Sequence, residues 1–396
     1  MGSIRTFQAL RLHGNRDIRL DEVESLPCGP HEVRLKIAYC GICGSDIHEF
    51  VAGPLFCPQA GTTDPYTGIG LPVTLGHEMS GSIVEVGSNV HHLHPGQKVC
   101  VNPSIHDAHY GVEPCSTCKI GRANICKRWS TYGLSGSGGG FADEIVLNAL
   151  NCIPLPEGVS LKIGALTEPF AVAWHCVRIS GFVPGQDVLV LGAGPIGLAL
   201  LAVLRARGAR KIIVSEIAEQ RARQARELGA DVVINPLEKK PDGRGEQQQS
   251  KRSSEQDPVT LAIHDMLGDG VDIAYDASGL QSTLDTAIRS VKSVGTIFNV
   301  AIHEKPLMIN LNQLAVGEKR LMAGAAYTNE DFMPVLDMMT AGTKMFESFV
   351  SAVVPLRDIV QGGFQELMDH KDRHLKILIQ PESNSDGEKN VPGIES

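Results

Sequence analysis

The sequence predicts a mixed α/β protein of two domains, one β-rich and one built on a doubly wound parallel sheet, and three observations carry that expectation. The chain of 396 residues is too long for one ordinary hydrophobic core. From "QALRLHG" to about residue 150 it runs as short alternating or β-branched stretches separated by glycine and proline turns, the pattern of antiparallel strands. From about Glu168 onward strands alternate with helices, and βα units of this kind build parallel sheets.

The elements follow in order. "HEVRLKIAYC", "GSIVEVGSNV", "QKVCVNP" and "FADEIVLN" are the strands of the first part. "DVLVLGAG" is a buried strand of continuous apolar residues, and "PIGLALLAVLRARGA" is the helix after it. "KIIVSEI" and "EQRARQARELGA" repeat the unit, and "DVVIN", "VDIAYDASG" and "GTIFNVA" supply further strands. Residues 236–258, "PLEKKPDGRGEQQQSKRSSEQDP", interrupt the alternation. With almost no apolar side chain they cannot bury a core, so the expectation is a disordered surface insertion, and the tail after Pro381 reads the same way.

Composition narrows the function classes. A hydrophobic share of 42% with 20% charged residues belongs to a soluble globular protein. The net charge of −9, with no long basic block, argues against nucleic acid as a partner. The first twenty residues carry no apolar secretory region. The longest uncharged apolar stretch, Val188 to Leu204, is short for a bilayer span and is broken by "GAGPIG". Ten cysteines without a signal segment point to reduced thiols and metal sites, hence to a cytoplasmic location.

"VLVLGAGPIG" sets Gly192, Gly194 and Gly197 in G-x-G-x-x-G spacing between a strand and a helix, with Pro195 and Ile196 in the same turn. The first glycine makes the turn, the second lets backbone approach a pyrophosphate, and the third lets helix and strand pack closely. The helix N-terminus then favours the anion. Glu216, at the end of the next strand, can accept bonds from ribose hydroxyls and repels a 2′-phosphate, so the dinucleotide expected is NAD rather than NADP.

Three stretches carry metal-ligand chemistry. "CGICGSDIHEF" offers Cys43, "VTLGHEMSG" offers His77 and Glu78, and "ALTEPFAVAWH" offers Glu168. Catalytic zinc takes three protein ligands of these types and keeps a fourth position open. Cys40 ends an apolar run and reads as a core residue; the C-x-x-C spacing with Cys43 lacks the βαβ context of a redox pair.

Taken together, "CGICGSDIH … GHEMSG … VGSNV … PGQKV … EPFAVAWH … VLGAGPIG" resembles the zinc-dependent medium-chain dehydrogenases, in the branch that holds polyol and butanediol dehydrogenases. The resemblance runs from "QALRLHG" to "HLKILIQP", and within the branch "WHCVRISGF" and "GFQELMDHK" are most similar to butanediol dehydrogenases of the fungal type. It implies a GroES-like, β-rich catalytic domain over residues 1–170 and 328–396 and a Rossmann cofactor domain over 171–327. By the same resemblance, Cys43 and His77 hold catalytic zinc, Glu168 stands at the third-ligand position, and Glu78 is an acid that can approach the metal. Asp46 orients His77, Ser45 and His48 relay the alcohol proton, and Arg221 and Lys376 contact the ribose and phosphates of the cofactor. The implied activity is NAD-linked interconversion of 2,3-butanediol and acetoin, a small diol and hydroxyketone, by a homodimer or homotetramer. A sorbitol- or xylitol-type polyol dehydrogenase and a catalytically silent NAD-binding protein are the alternatives.

A second cysteine cluster departs from the family pattern. Cys115, Cys118 and Cys126 keep a C-x2-C-x7-C spacing, but the first cysteine of the family's structural zinc lobe is replaced by Val112. Either a substitute from the preceding loop, among His106, Asp107, His109 and Glu113, completes a second zinc site, or the lobe holds three thiols and no metal.

Overall fold

The computed structural model describes residues 5–238, 257–303 and 305–381. Its contacts divide the chain into two units: one runs to Glu168 and resumes at Thr328, and the other spans Pro169–Tyr327.

The first unit is organised around the strand Glu32–Gly41, whose alternating apolar residues Val33, Leu35 and Ile37 are fully buried. It pairs antiparallel with Glu78–Val86, with Glu144–Asn148 and with the late strand Lys376–Gln380. Lys98–Val101, Cys152–Pro154 and Val350–Pro355 complete this seven-stranded sheet, and Thr6–Gly14 forms a separate hairpin with Asp17–Glu24. Phe141 and Phe364 stack edge to face in the core beneath the sheet. Burying side chains of this size stabilises by roughly 1.5–3 kcal/mol apiece. The register brings distant residues together. Gly41 faces Glu78 on one neighbour and Leu378 on the other, so three segments far apart in sequence meet at one end of the sheet.

In the second unit six parallel strands lie in the order Val232–Ile234, Lys211–Ser215, Asp187–Leu191, Val271–Asp276, Val291–Asn299, Arg320–Ala323. The chain order reverses beside Asp187–Leu191, the arrangement of a Rossmann sheet, which binds dinucleotides at the carboxyl ends of the strands at that reversal. All five residues of Asp187–Leu191 are buried, as a strand covered on both faces requires. The helix Pro195–Ala206 starts with proline at its first position and buries eight consecutive residues, Gly197 to Leu204.

The insertion read as 236–258 ends sooner than its composition suggests, because Asp257 caps the helix Pro258–Leu267 by accepting the Thr260 N–H at 2.9 Å. Asp followed by Pro is a helix start rather than loop composition. At the other edge Pro236–Glu238 form a turn in which Glu238 N–H donates to the Asn235 carbonyl. The body of the insertion, 239–256, and the tail beyond Pro381 lie outside the described residues. Among the described residues no helix is long and apolar enough to cross a membrane.

Candidate functional site

Cys43 is the N-cap of the helix Gly44–Val51, which leaves the sheet at the end of Glu32–Gly41. Asp46, fully buried in the first turn of that helix, accepts the Cys43 N–H through Oδ2 at 2.8 Å. Its Oδ1 lies 3.5 Å from Nδ1 of His77. One carboxylate thus fixes the backbone of the cysteine and the ring of the histidine, and it turns Nε2 of His77 to the opposite side. There Ser45 Oγ lies 3.2 Å from Nε2. Ligand atoms of Cys43, His77 and Glu78 all lie within 4.8 Å of one another.

The electrostatics of this cluster suit a cation. Burial opposes charge on His77, yet Asp46 and Cys43 outweigh it and lift the imidazole well above its usual range. Thiolate, imidazole and carboxylate are the ligand types that zinc prefers, and an imidazole held from behind by a carboxylate is the common arrangement around it. The residues present therefore fit a zinc ion held by Cys43, His77 and a glutamate.

The two candidate glutamates are treated differently. Glu78 belongs to the group around Cys43 and His77, whereas Glu168, buried in the first turn of the helix Thr167–Ile179, does not. Glu168 is close enough to act on the charge of Lys376. Lys376, expected at the cofactor phosphates, is 4% exposed, and its Nζ donates to Glu78 Oε1 at 2.7 Å and to the Ile42 carbonyl at 3.0 Å. A buried ammonium requires such partners. Gly41 makes room for them, since a Cβ at that position would overlap Glu78 Oε2 and press on the Lys376 stem. This ion pair is the feature that sequence reading missed, for it joins residues 298 positions apart.

The neighbours fall into place. His48 lies one turn beyond Ser45 on the same side of the helix Gly44–Val51 and is partly exposed. Cys40 is fully buried in the core, and burial, with Asp46 and Glu78 nearby, holds its thiol protonated. That is the opposite of what a redox partner for Cys43 needs.

In the Rossmann unit, Gly194 caps the helix Pro195–Ala206, and Pro195 and Ile196 stand partly exposed in its first turn. Gly197 packs directly over Gly192, and a Cβ there would overlap the Gly192 carbonyl. Glu216 accepts three backbone N–H groups, from Ala193 at 2.7 Å, Ile217 at 2.9 Å and Ala218 at 2.8 Å, which fixes a carboxylate beside the glycine turn. Arg221, in the first turn of the helix Glu219–Glu227, is partly buried. The turn, helix start and anchored acid together fit a dinucleotide.

Cys115, Cys118 and Cys126 converge in a lobe of short helical turns. The Thr117 hydroxyl and the N–H groups of Lys127 and Cys118 hold the Cys115 thiol down to about 6.

The chain is similar to known proteins over most of its length. The profile of the alcohol dehydrogenase GroES-like domain matches residues 29–157, and that of the zinc-binding dehydrogenases matches residues 195–341. An (R,R)-butanediol dehydrogenase of Saccharomyces cerevisiae is 35% identical over 98% of this chain and 100% of its own length. One from Bacillus subtilis is 34% identical over 95% and 100%. The crystal structure of a 2R,3R-butanediol dehydrogenase from Bacillus subtilis superposes with a TM-score of 0.84 at 33% identity, over 95% of this chain and all of that one. With the cysteine–histidine–glutamate cluster on one unit and the glycine turn on the other, these matches extend over nearly the whole length, and the chain belongs to the zinc-dependent medium-chain dehydrogenase family.

Proposed function

We propose that this enzyme interconverts 2,3-butanediol and acetoin with NAD, using one zinc ion held by Cys43, His77 and Glu78. The observation that carries the reading is the meeting of those three side chains within 4.8 Å, with the Ser45 hydroxyl 3.2 Å from the histidine. Full-length similarity to butanediol dehydrogenases supports the substrate class. Bound in their sites, zinc would acidify the substrate hydroxyl as a Lewis acid and NAD would accept the hydride.

The chain's own residues do the rest. Asp46 keeps the Nε2 face of His77 toward the site. Ser45 takes the hydroxyl proton, and His48, a turn further on, delivers it to water. Lys376 sets a positive charge against Glu78 in a buried place. Glu168 stands outside the ligand group and gives the site a second carboxylate near Lys376. All ten cysteines are free thiols, which suits a cytoplasmic enzyme, and we expect it to assemble as a homodimer or homotetramer.

A panel of 2,3-butanediol stereoisomers, sorbitol and xylitol, each with NAD and NADP, tests the reading. Preference for a hexitol or pentitol would replace it with a polyol dehydrogenase. In the same assay Glu216→Gln should raise kcat/KM for NADP relative to NAD by about tenfold or more, because like charges brought together cost several kcal/mol. Glutamine keeps one acceptor oxygen, enough for the Ile217 and Ala218 N–H groups, and leaves the Ala193 N–H without its partner, so some loss of stability should accompany the change. An unmoved ratio would place Glu216 away from the ribose.

His48→Gln should slow alcohol oxidation near neutral pH by about tenfold, in the lower part of what general-base assistance supplies. Imidazoles exchange protons near neutral pH, and hydroxide substitutes for a relay as pH rises, so the defect should shrink in alkali. Zinc content should stay the same. A pH–rate profile identical to wild type would leave His48 without a role.

A further inference from the structure

Away from the catalytic cluster, the described residues bring one other set of soft ligands together: Cys115, Cys118 and Cys126 with Asp107, all four ligand atoms within 4.8 Å of one another. We propose that these residues form a second, closed zinc site, in which Asp107 takes the place that a cysteine at 112 would fill.

The geometry of the loop explains the exchange. The Asp107 carbonyl accepts the N–H of Tyr110 at 3.2 Å and of Val112 at 3.3 Å, so the chain between them closes into a turn. That turn leaves Val112 41% exposed and carries Asp107, only 1% exposed, to the thiols. The other acceptors of the loop stand outside this group. His106 and His109 pack edge to face at 4.5 Å with a hydrogen bond between the His106 N–H and His109 Nδ1, and Glu113 is exposed.

The spacing of the sulfurs is that of a metal site. Cys115 Sγ and Cys126 Sγ lie 3.8 Å apart. A disulfide needs about 2.05 Å, whereas a tetrahedron with zinc–sulfur bonds of about 2.3 Å has sulfur–sulfur edges of about 3.8 Å. The carboxylate is held as ligating carboxylates are. Its Oδ2 accepts the Cys115 N–H at 2.6 Å and its Oδ1 accepts Arg128 Nη1 at 2.7 Å. Each oxygen keeps a lone pair for a metal. Three thiolates and a carboxylate exceed the charge of zinc, and Arg128 offsets part of the excess. The Arg128 N–H also donates to Cys126 Sγ at 3.3 Å.

Apolar burial contributes little to the shape of the lobe. Its apolar residues Ile120 and Ile125 are 74% and 53% exposed, so they add little to a core. A closed four-coordinate ion stabilises such a segment in place of one.

Zinc counted by mass spectrometry on full-length protein purified without chelator tests the assignment. Wild type should hold two ions per chain, His77→Ala one, Asp107→Ala one, the double variant none, and Asp107→Cys two. Two ions in Asp107→Ala would overturn the proposal, as would a single ion in wild type that disappears in His77→Ala. Loss of an ion from Asp107→Ala alone, with no change in His77→Ala, would overturn the catalytic reading and leave this one standing. If Asp107→Ala does not fold, cobalt-loaded wild type and Asp107→Cys decide. The cysteine variant should gain one thiolate's share of charge-transfer absorption, and equal spectra would show that position 107 does not touch the metal.

Discussion

Cys43→Ser and His77→Ala should each lose the zinc of the catalytic cluster and nearly all turnover, the largest effect expected of any substitution in this chain. A Lewis acid contributes several kcal/mol of transition-state stabilisation, and each 1.36 kcal/mol is about tenfold in rate, so kcat/KM should fall by at least about a thousandfold. The two variants should differ in stability. Serine leaves an oxygen at the helix N-cap, where the reciprocal bond from the Cys43 backbone to Asp46 persists. Alanine at 77 leaves Asp46, fully buried, with no imidazole facing Oδ1, so His77→Ala should also unfold at lower temperature. Binding of NADH, followed by nicotinamide fluorescence, should persist in both, because the glycine turn and Glu216 belong to the other unit. Wild-type turnover in a zinc-free variant would end the zinc mechanism.

Sequence reading reached the parts of the molecule that local pattern determines. The strands at "DVLVLGAG", "KIIVSEI" and "VDIAYDASG" are there because continuous apolar runs bounded by glycine have few alternatives in a βα chain. The edge strand Arg320–Ala323 went unread, since it is only four residues long and mostly exposed. Cys43 and His77 could be singled out as candidates because each stands in a glycine-flanked turn after a strand-like run. Asp107 could be named only as one of four candidates, because which side chain lies beside the three thiols is decided by how the loop closes. The partner of Lys376 was beyond reach for the same reason on a larger scale. Only the pairing of Lys376–Gln380 and Glu78–Val86 with the same central strand sets that lysine beside Glu78.

That ion pair should reveal itself in stability. Lys376→Met is expected to cost the metal-stripped protein about 3–5 kcal/mol, the usual penalty for removing one partner of a buried pair and leaving the other charge uncompensated. Both side chains are almost inaccessible, 5% and 1% exposed, so solvent screens little of the effect. Lys376→Met with Glu78→Gln should recover most of the loss, since neither partner then carries a charge. Zinc should narrow the gap between wild type and the single variant, because an ion at Cys43 and His77 supplies positive charge to Glu78 in place of the ammonium. The dependence on pH follows from the lysine. Burial alone would lower its pKa, but Glu78 and then Cys43 outweigh burial and raise it above the ordinary lysine value. A group whose folded pKa is raised contributes its full stability below the unfolded pKa and loses it as pH climbs through the folded one. The difference between wild type and Lys376→Met should therefore stay flat across neutral pH and close only in strong alkali. Chemical denaturation of the stripped proteins at several pH values measures it. A cost under about 1 kcal/mol, the range of solvated surface pairs, would mean that water reaches the pair and screens it.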